Sequence, residues 1–440
     1  VLLLLAWAMP GPVRANVDDD GALLRLQHHG HSLELPLLEP QLVTALADEP
    51  LRLYRFDRTL GLAVGSVVVV ATEPGTPAYA GRFAGLAEAG SVLGTFAGVR
   101  YHAVRIPDAD AMPLWLTRLA AAPGVRAAWP DLLKVEIAAG DSNFIQPAYE
   151  SGSFSLVESL EVEPLWRRGD GSGVRVAIID SAVDPEVPGL AARPVTILDP
   201  WPDIRAVPSA SPGRGHGTRV ASVIASVDGE RRLRGVAPGV ELISIVLRST
   251  WTSELIAALY QAVEAGADIV VCPWDDPLAL EPVIELVNHL STSGRGGRGM
   301  LFVAAAGNRH YDSGAMDSFA NLESTLSVTA LDHRGAVVAA YGRGVDIAAP
   351  SMLPVLPRRA DGQPSFLGKT SAATPVVAGV AALLLSAYPD LQASDVRNIL
   401  RQSAAPLVAP PDGASIAFPF GALAPAAAFE LAAKDPDSSP

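Results

Sequence analysis

Phe366-Leu-Gly-Lys-Thr-Ser-Ala-Ala-Thr-Pro375 closes a loop and opens a long apolar segment that runs to about Tyr388. The segment predicts a buried helix, and Ser371 stands at its start. Backbone N–H groups at a helix N-terminus lack partners within the helix and carry partial positive charge. A serine there has its hydroxyl beside free donors. Pro375 fits an early helical turn, where a missing N–H is no loss. Taken alone, the stretch reads first as an ordinary helix start capped by serine. Its meaning depends on what the rest of the chain brings to it.

Upstream, from about residue 160, strand and helix patterns alternate. Val174-Arg-Val-Ala-Ile-Ile179, Val240–Val246, Asp268–Cys272, Met300–Ala305, Thr325–Ala330 and Val345–Ala348 read as strands. Gly217–Ser226, Ser253–Ala265 and Pro282–Leu290 read as helices between them. Strands that are continuous apolar runs, alternating with helices, indicate a mostly parallel sheet covered on both faces. The fold class is therefore α/β, a doubly wound, mostly parallel sheet flanked by helices. Such sheets place their sites at the carboxyl ends of the strands.

Residues 62–137 form a smaller α+β pattern. Val67–Ala71, Ser91–Phe96, Tyr101–Ile106 and Val125–Trp129 read as strands, and Ala78–Ala89 and Ala111–Ala122 as helices. The order β-α-β-β-α-β is the split, ferredoxin-like arrangement. Before it, residues 16–61 form an extension in which Leu23–Gln27 and Ser32–Pro36 suggest a hairpin turning at Gly30. His28, His29 and His31 lie on that turn, where a solvated role outweighs metal binding. Residues 138–158 carry Gly, Ser, Asn and Pro and read as a linker. The larger α/β domain spans 159–430. A tail over 431–440, polar and Pro-rich from Lys434, reads as disordered.

The 440 residues are 49% hydrophobic and 18% charged, ample for one large core and a smaller one. A formal charge of −14 excludes a basic nucleic-acid surface. Cys272 is the single cysteine, so no intrachain disulfide and no thiolate metal cluster is available. Val1–Met9 is an apolar run too short to span a bilayer. With Val13-Arg-Ala15 it reads as a secretory signal and its cleavage site, without the basic leading region. No later segment reads as transmembrane.

The strand-end rule now gathers the chemistry. The first strand of the large domain ends in Asp180, and the strand 300–305 leads into Ala306-Gly-Asn308. Gly213-Arg-Gly-His216 precedes a helix, and Ser371 opens another. Separately, these are a turn residue, a loop former and two caps. Together they are the set that acyl transfer needs. Serine attacks only when a base takes its proton, and neutral imidazole suits that task near pH 7. A buried carboxylate holds the imidazole in one tautomer and stabilises it when charged. The Asn308 side-chain amide and the Ser371 N–H would serve the oxyanion.

Asp180-Ser-Ala-Val-Asp184, His216-Gly-Thr218, Ala305-Ala-Gly-Asn308 and Thr370-Ser-Ala-Ala-Thr-Pro375 resemble the four signature blocks of subtilisin-like serine proteases, the subtilases. The order Asp, His, Ser is also theirs. Gly235-Val-Ala-Pro238, Val345–Pro350 and Val377–Leu383 add to the resemblance, which covers about residues 160–430. It implies that Asp180 orients the imidazole, that His216 is general base and then acid, that Ser371 is the nucleophile and that Asn308 is the oxyanion donor. It implies that Cys272, Pro273, Trp274, Asp275, Ala305, Ala306 and Gly307 line the substrate site. It also implies that residues 62–137 are an inhibitor-like prodomain, removed by cleavage in the linker 138–158. The partners expected are a peptide or protein substrate and the chain's own prodomain, with no nucleic acid. The expected location is outside the cytoplasm, secreted or periplasmic.

The chain departs from the family pattern in three places. Ala182 and Lys369 stand where glycine is usual, and Cys272-Pro-Trp-Asp275 stands where Met-Ser-x-Gly is usual. Lys369 either favours acidic groups near the nucleophile or points to solvent. Calcium is common in the family, but Ser226–Leu233 offers only Asp228 and Glu230 beside two arginines, so no metal and no cofactor is assigned. Two functions follow from these residues: an exported serine endopeptidase made as a self-inhibited zymogen, and an impaired homologue that binds peptides or proteins without cutting them. An α/β-hydrolase esterase is excluded, because its nucleophile comes first in the chain.

Overall fold

The computed structural model describes residues 15–17, 23–28, 31–38, 51–56, 60–76, 90–136, 155–191, 194–202, 215–229, 233–276, 278–310, 312–313, 318–358, 360, 362–407 and 421–434. The signal segment up to residue 14, the helix expected at 78–89, the linker from 137 to 154, Glu230 and the tail from 435 lie outside the described residues. The chain divides into two compact units. The first comprises 1–141, 201–209 and 249–260, and the second 142–200, 210–248 and 261–440.

In the first unit, β1 (Ala15–Val17), β2 (Leu23–His28) and β3 (His31–Pro36) form a three-stranded sheet. His28 pairs with His31 across the hairpin. A second sheet contains β4 (Arg52–Arg55), β5 (Leu60–Thr72), β6 (Ser91–Phe96), β7 (Val99–Arg105) and β8 (Val125–Glu136). Helix α1 (Met112–Ala120) buries Trp115, Leu116 and Leu119. The strand order β8-β5-β7-β6 is antiparallel throughout, as the split βαβ reading requires. The strands β5 and β8 are much longer than the sequence suggests. Pro130 and Asp131 look like strand breakers. A register shift between Val64 and Val68 of the partner strand absorbs Pro130. Asp131 is fully buried, and its carboxylate accepts from the Ser253 N–H at 2.9 Å and the Ser253 hydroxyl at 2.6 Å.

His102 on β7 is 3% exposed and lies 3.4 Å from the Thr72 hydroxyl. Burial, with the nearby Arg100 charge, pushes its pKa down to about 4 from 6.5. The folded imidazole therefore stays neutral while the unfolded one protonates below pH 6.5. Its contribution to stability is complete above that pH and is lost as pH falls towards 4. We expect the wild-type chain to lose at most about 3 kcal/mol more than His102→Gln between pH 7 and pH 4, read from denaturant midpoints.

The second unit opens with the short helix α2 (Leu156–Ser159), followed by β9 (Arg175–Asp180), β10 (Val195–Leu198), α3 (His216–Ala225) and β11 (Glu241–Val246). Helix α4 (Thr252–Glu264) begins among residues of the first unit. Then come β12 (Ile269–Cys272), α5 (Glu281–Gly297), β13 (Leu301–Ala305), β14 (Thr325–Leu331) and β15 (Ile347–Pro350). Strands β16 (Leu353–Arg358) and β17 (Pro364–Leu367) form a two-stranded sheet. Helices α6 (Lys369–Ala387), α7 (Ala393–Gln402) and α8 (Pro425–Ala432) complete the unit. The last of these runs into the segment assigned to the tail.

Seven parallel strands lie in the order β10-β11-β9-β12-β13-β14-β15. The α/β, doubly wound reading therefore holds. The chain sets β10 and β11 on one side of β9 and everything from β12 on the other. The reversal falls between β9 and β12, whose carboxyl ends are Asp180 and Cys272. This is the crevice where open α/β sheets bind ligands. Among the described residues, α6 alone is long and apolar enough to cross a bilayer. It is buried from Ala372 to Leu385 in the core with Val176, Val236 and Leu326, as a central soluble helix is. Pro375 lies inside this helix and not in its early turn as expected. The ladder bond it would donate to the Ser371 carbonyl is therefore absent, while the Thr374 hydroxyl donates to the Thr370 carbonyl at 2.7 Å.

Candidate active site

The strand β9 is apolar from Val176 to Ile179 and delivers Asp180 at its end with only 7% of the side chain exposed. The Oδ1 atom of Asp180 accepts the Ser181 N–H at 2.6 Å. The Oδ2 atom lies 2.7 Å from Nδ1 of His216, the first residue of α3. With the carboxylate accepting, Nδ1 carries the proton and Nε2 is left as a base. The pair is close because Gly217 allows it. A Cβ at this position would sit 2.0 Å from the Ser181 carbonyl oxygen. The Gly217 N–H instead donates to the Ser181 hydroxyl at 3.0 Å.

Ser371 lies in the first turn of α6. Its hydroxyl donates to the Pro273 carbonyl at 2.9 Å. In this conformation the proton is aimed at the end of β12 and not at His216.

Asn308 follows β13 and Gly307, whose φ of +113° only glycine adopts without strain. The Thr370 N–H and hydroxyl both donate to Asn308 Oδ1, at 3.1 and 2.7 Å. Because an N–H can only donate, this contact fixes which end of the amide is oxygen. The Nδ2 group is thereby turned away from Thr370 as a donor. The role of Thr370 was not read from the sequence, although it sits within the quoted motif.

The other residues expected at the substrate site divide by exposure. Cys272, Ala305 and Ala306 are buried at 0–1% exposure, so only their backbone can meet a ligand. Pro273 offers its carbonyl to Ser371, and Gly307 accepts the Ala340 N–H at 3.1 Å. Trp274 turns inward. Its indole N–H donates to the Ile179 carbonyl at 2.7 Å, and its ring packs 5.5 Å from that of Phe319. Asp275 is exposed.

Lys369 has φ +52°, the left-handed region that favours glycine, at a cost of about 1 kcal/mol for another residue. Gly368, one residue earlier, has an ordinary φ of −130°. The Lys369 ammonium donates to the Asn308 carbonyl at 3.1 Å, so it does not simply point to solvent. Among the described residues no group of three or more His, Cys, Asp or Glu converges, and Glu230 of the candidate calcium loop is not described.

A comparison with known families matches residues 171–422, more than half the chain, to the subtilase family. Subtilisin DY of Bacillus licheniformis is 32% identical over 252 residues, covering 53% of this chain and 84% of that protein. M-protease of Shouchella clausii (strain KSM-K16) is 31% identical over 240 residues, and the match spans 53% of this chain and only 60% of that relative's length. Among solved structures, fervidolysin from Fervidobacterium pennivorans, described as a keratinolytic enzyme related to subtilisin, is similar with a TM-score of 0.61. It is 20% identical and covers 86% of this chain and 62% of its own, which establishes shared fold alone. Parallel sheet, residue order and family match agree: this chain belongs to the subtilase family of serine proteases.

Proposed function

We propose that the protein is a serine endopeptidase acting through Asp180, His216 and Ser371. The observation that carries this reading is the 2.7 Å contact between Asp180 and His216 Nδ1 at the crevice between β9 and β12. In this reading that contact leaves Nε2 unprotonated as the base for Ser371. Substrate binding turns the Ser371 hydroxyl from Pro273 to Nε2. His216 takes the proton as Oγ attacks the peptide carbonyl, and Asp180 stabilises the imidazolium. The Asn308 Nδ2 group and the Ser371 N–H receive the oxyanion. His216 then protonates the leaving amine, and water hydrolyses the acyl-enzyme by the reverse sequence.

Residues 62–137 act in this reading as an intramolecular inhibitor, and the segment 138–158 holds the maturation site. The split βαβ strand order of residues 60–136 supports the assignment. The apolar run Val1–Met9 supports export from the cytoplasm. A second reading, a binding module that does not cut, draws on one observation: the Ser371 hydroxyl rests on the Pro273 carbonyl.

One experiment separates the two. The full chain is expressed and allowed to mature, then treated with a fluorophosphonate probe and, separately, with a diverse peptide library. The endopeptidase reading expects the adduct to map to Ser371 and the library to be cut. Protein that takes up no probe and cuts nothing, yet retains peptides, establishes the binding reading instead.

A further inference from the structure

We propose that Lys369 is a positioning residue of the oxyanion site: its ammonium holds the Asn308 main chain so that the side-chain amide stays aimed at the reacting carbonyl. This inference rests on the serine-peptidase reading above.

Two physical costs stand against a lysine here. Its φ of +52° is strained for any residue but glycine. It is also the first residue of α6, and a cation at a helix N-terminus opposes the helix dipole. Neither backbone comfort nor helix stability accounts for it. Strain of this kind collects where function requires a geometry.

The compensating contact is specific. Asn308 is gripped at two points from the same short segment. Lys369 Nζ donates to its main-chain carbonyl at 3.1 Å, and Thr370 donates to its side-chain Oδ1 at 3.1 and 2.7 Å. The residue before it, Gly307, has φ +113°, and a glycine hinge resists rotation of the adjoining peptides poorly. The Ala340 N–H restrains the peptide on one side of Asn308 by binding the Gly307 carbonyl at 3.1 Å. Lys369 restrains the peptide on the other side. The same lysine is two residues from Ser371, whose N–H is the second oxyanion donor. It therefore ties the two halves of the site to each other.

The test compares Lys369→Gly, Lys369→Met and Lys369→Arg with wild type in the full, matured chain. The readouts are kcat and KM on one fluorogenic peptide taken from a mapped cut, the rate of fluorophosphonate labelling, and the melting temperature. Loss of the grip lowers kcat and the labelling rate roughly tenfold in the Gly and Met variants, with KM little changed. Lys369→Arg restores most of the loss, since guanidinium also donates to a carbonyl. Lys369→Gly melts at or above the wild-type temperature, because strain and the adverse charge are both removed. A purely structural lysine would move melting temperature and kcat together. Gly and Met variants with wild-type kcat would overturn the proposal while leaving the peptidase reading intact. A wild type inert towards both probe and peptide would overturn that reading and this one together.

Discussion

Asp180→Asn is expected to lower kcat on peptide substrates about 10⁴-fold while leaving the fold in place. The size of the effect follows from the two acceptor positions of the carboxylate. Oδ1 receives the Ser181 N–H at 2.6 Å, and Oδ2 meets His216 Nδ1 at 2.7 Å. An asparagine must keep its oxygen towards Ser181, because an NH₂ there would face another donor. The amide nitrogen is then forced onto His216. It donates to Nδ1, the ring proton moves to Nε2, and the base towards Ser371 is gone. The measurement is a steady-state kcat at neutral pH with the melting temperature as a control. An activity within tenfold of wild type would mean that Asp180 does not set the tautomer. A collapse in melting temperature would mean that the loss is structural.

Asn308→Ala is expected to cost 10²–10³-fold in kcat, on the order of 3–4 kcal/mol of transition-state stabilisation, with KM nearly unchanged. In the proposed mechanism its amide nitrogen meets the substrate oxygen only once negative charge develops. The ground-state complex therefore hardly registers its absence. The substitution also strips the Thr370 N–H and hydroxyl of their acceptor. Thr370 is only 1% exposed in the first turn of α6, so each donor left without a partner costs about 1–3 kcal/mol of stability. Parallel kcat and denaturation measurements separate these two effects. A variant that loses stability but keeps kcat would remove Asn308 from the oxyanion site.

The large domain was legible because its strands are unbroken apolar runs and its polar residues stand where those runs end. Asp180 and Asn308 stand where that rule points, while His216 and Ser371 stand at helix starts. The sequence hid contacts that depend on distant chain. Asp131 follows a proline and resembles a strand stop, yet it is fully buried and bonded to Ser253, 122 residues away. Short or polar elements were missed as well. The edge strand β10, Val195-Thr-Ile-Leu198, is only four residues long, and α7 is mostly polar. Helix α5 extends beyond the expected Leu290 to Gly297, with Gly294, Arg295 and Gly296 departing from helical geometry. In the site itself, residue identity was legible and side-chain direction was not. Trp274 turns inward to Ile179, Lys369 reaches back to Asn308, and Ser371 leans on Pro273. Each direction is set by local backbone angles and by carbonyls at or just past the ends of other strands, which residue spacing does not encode.

Cys272 ends β12, in the middle of the parallel sheet and one residue from Pro273. Its sulfur is fully buried, and burial, with Asp276 and Asp180 nearby, raises its pKa well above the ordinary thiol range. Only the thiolate reacts at a useful rate, and no alkylating agent reaches this sulfur while the sheet is closed. The rate of its alkylation therefore counts openings of the sheet's centre, on the same clock that amide exchange reads elsewhere. Because the chain has no other cysteine, the count has no background. The protein carries, at the end of β12, a built-in timer for how often the centre of its sheet comes apart.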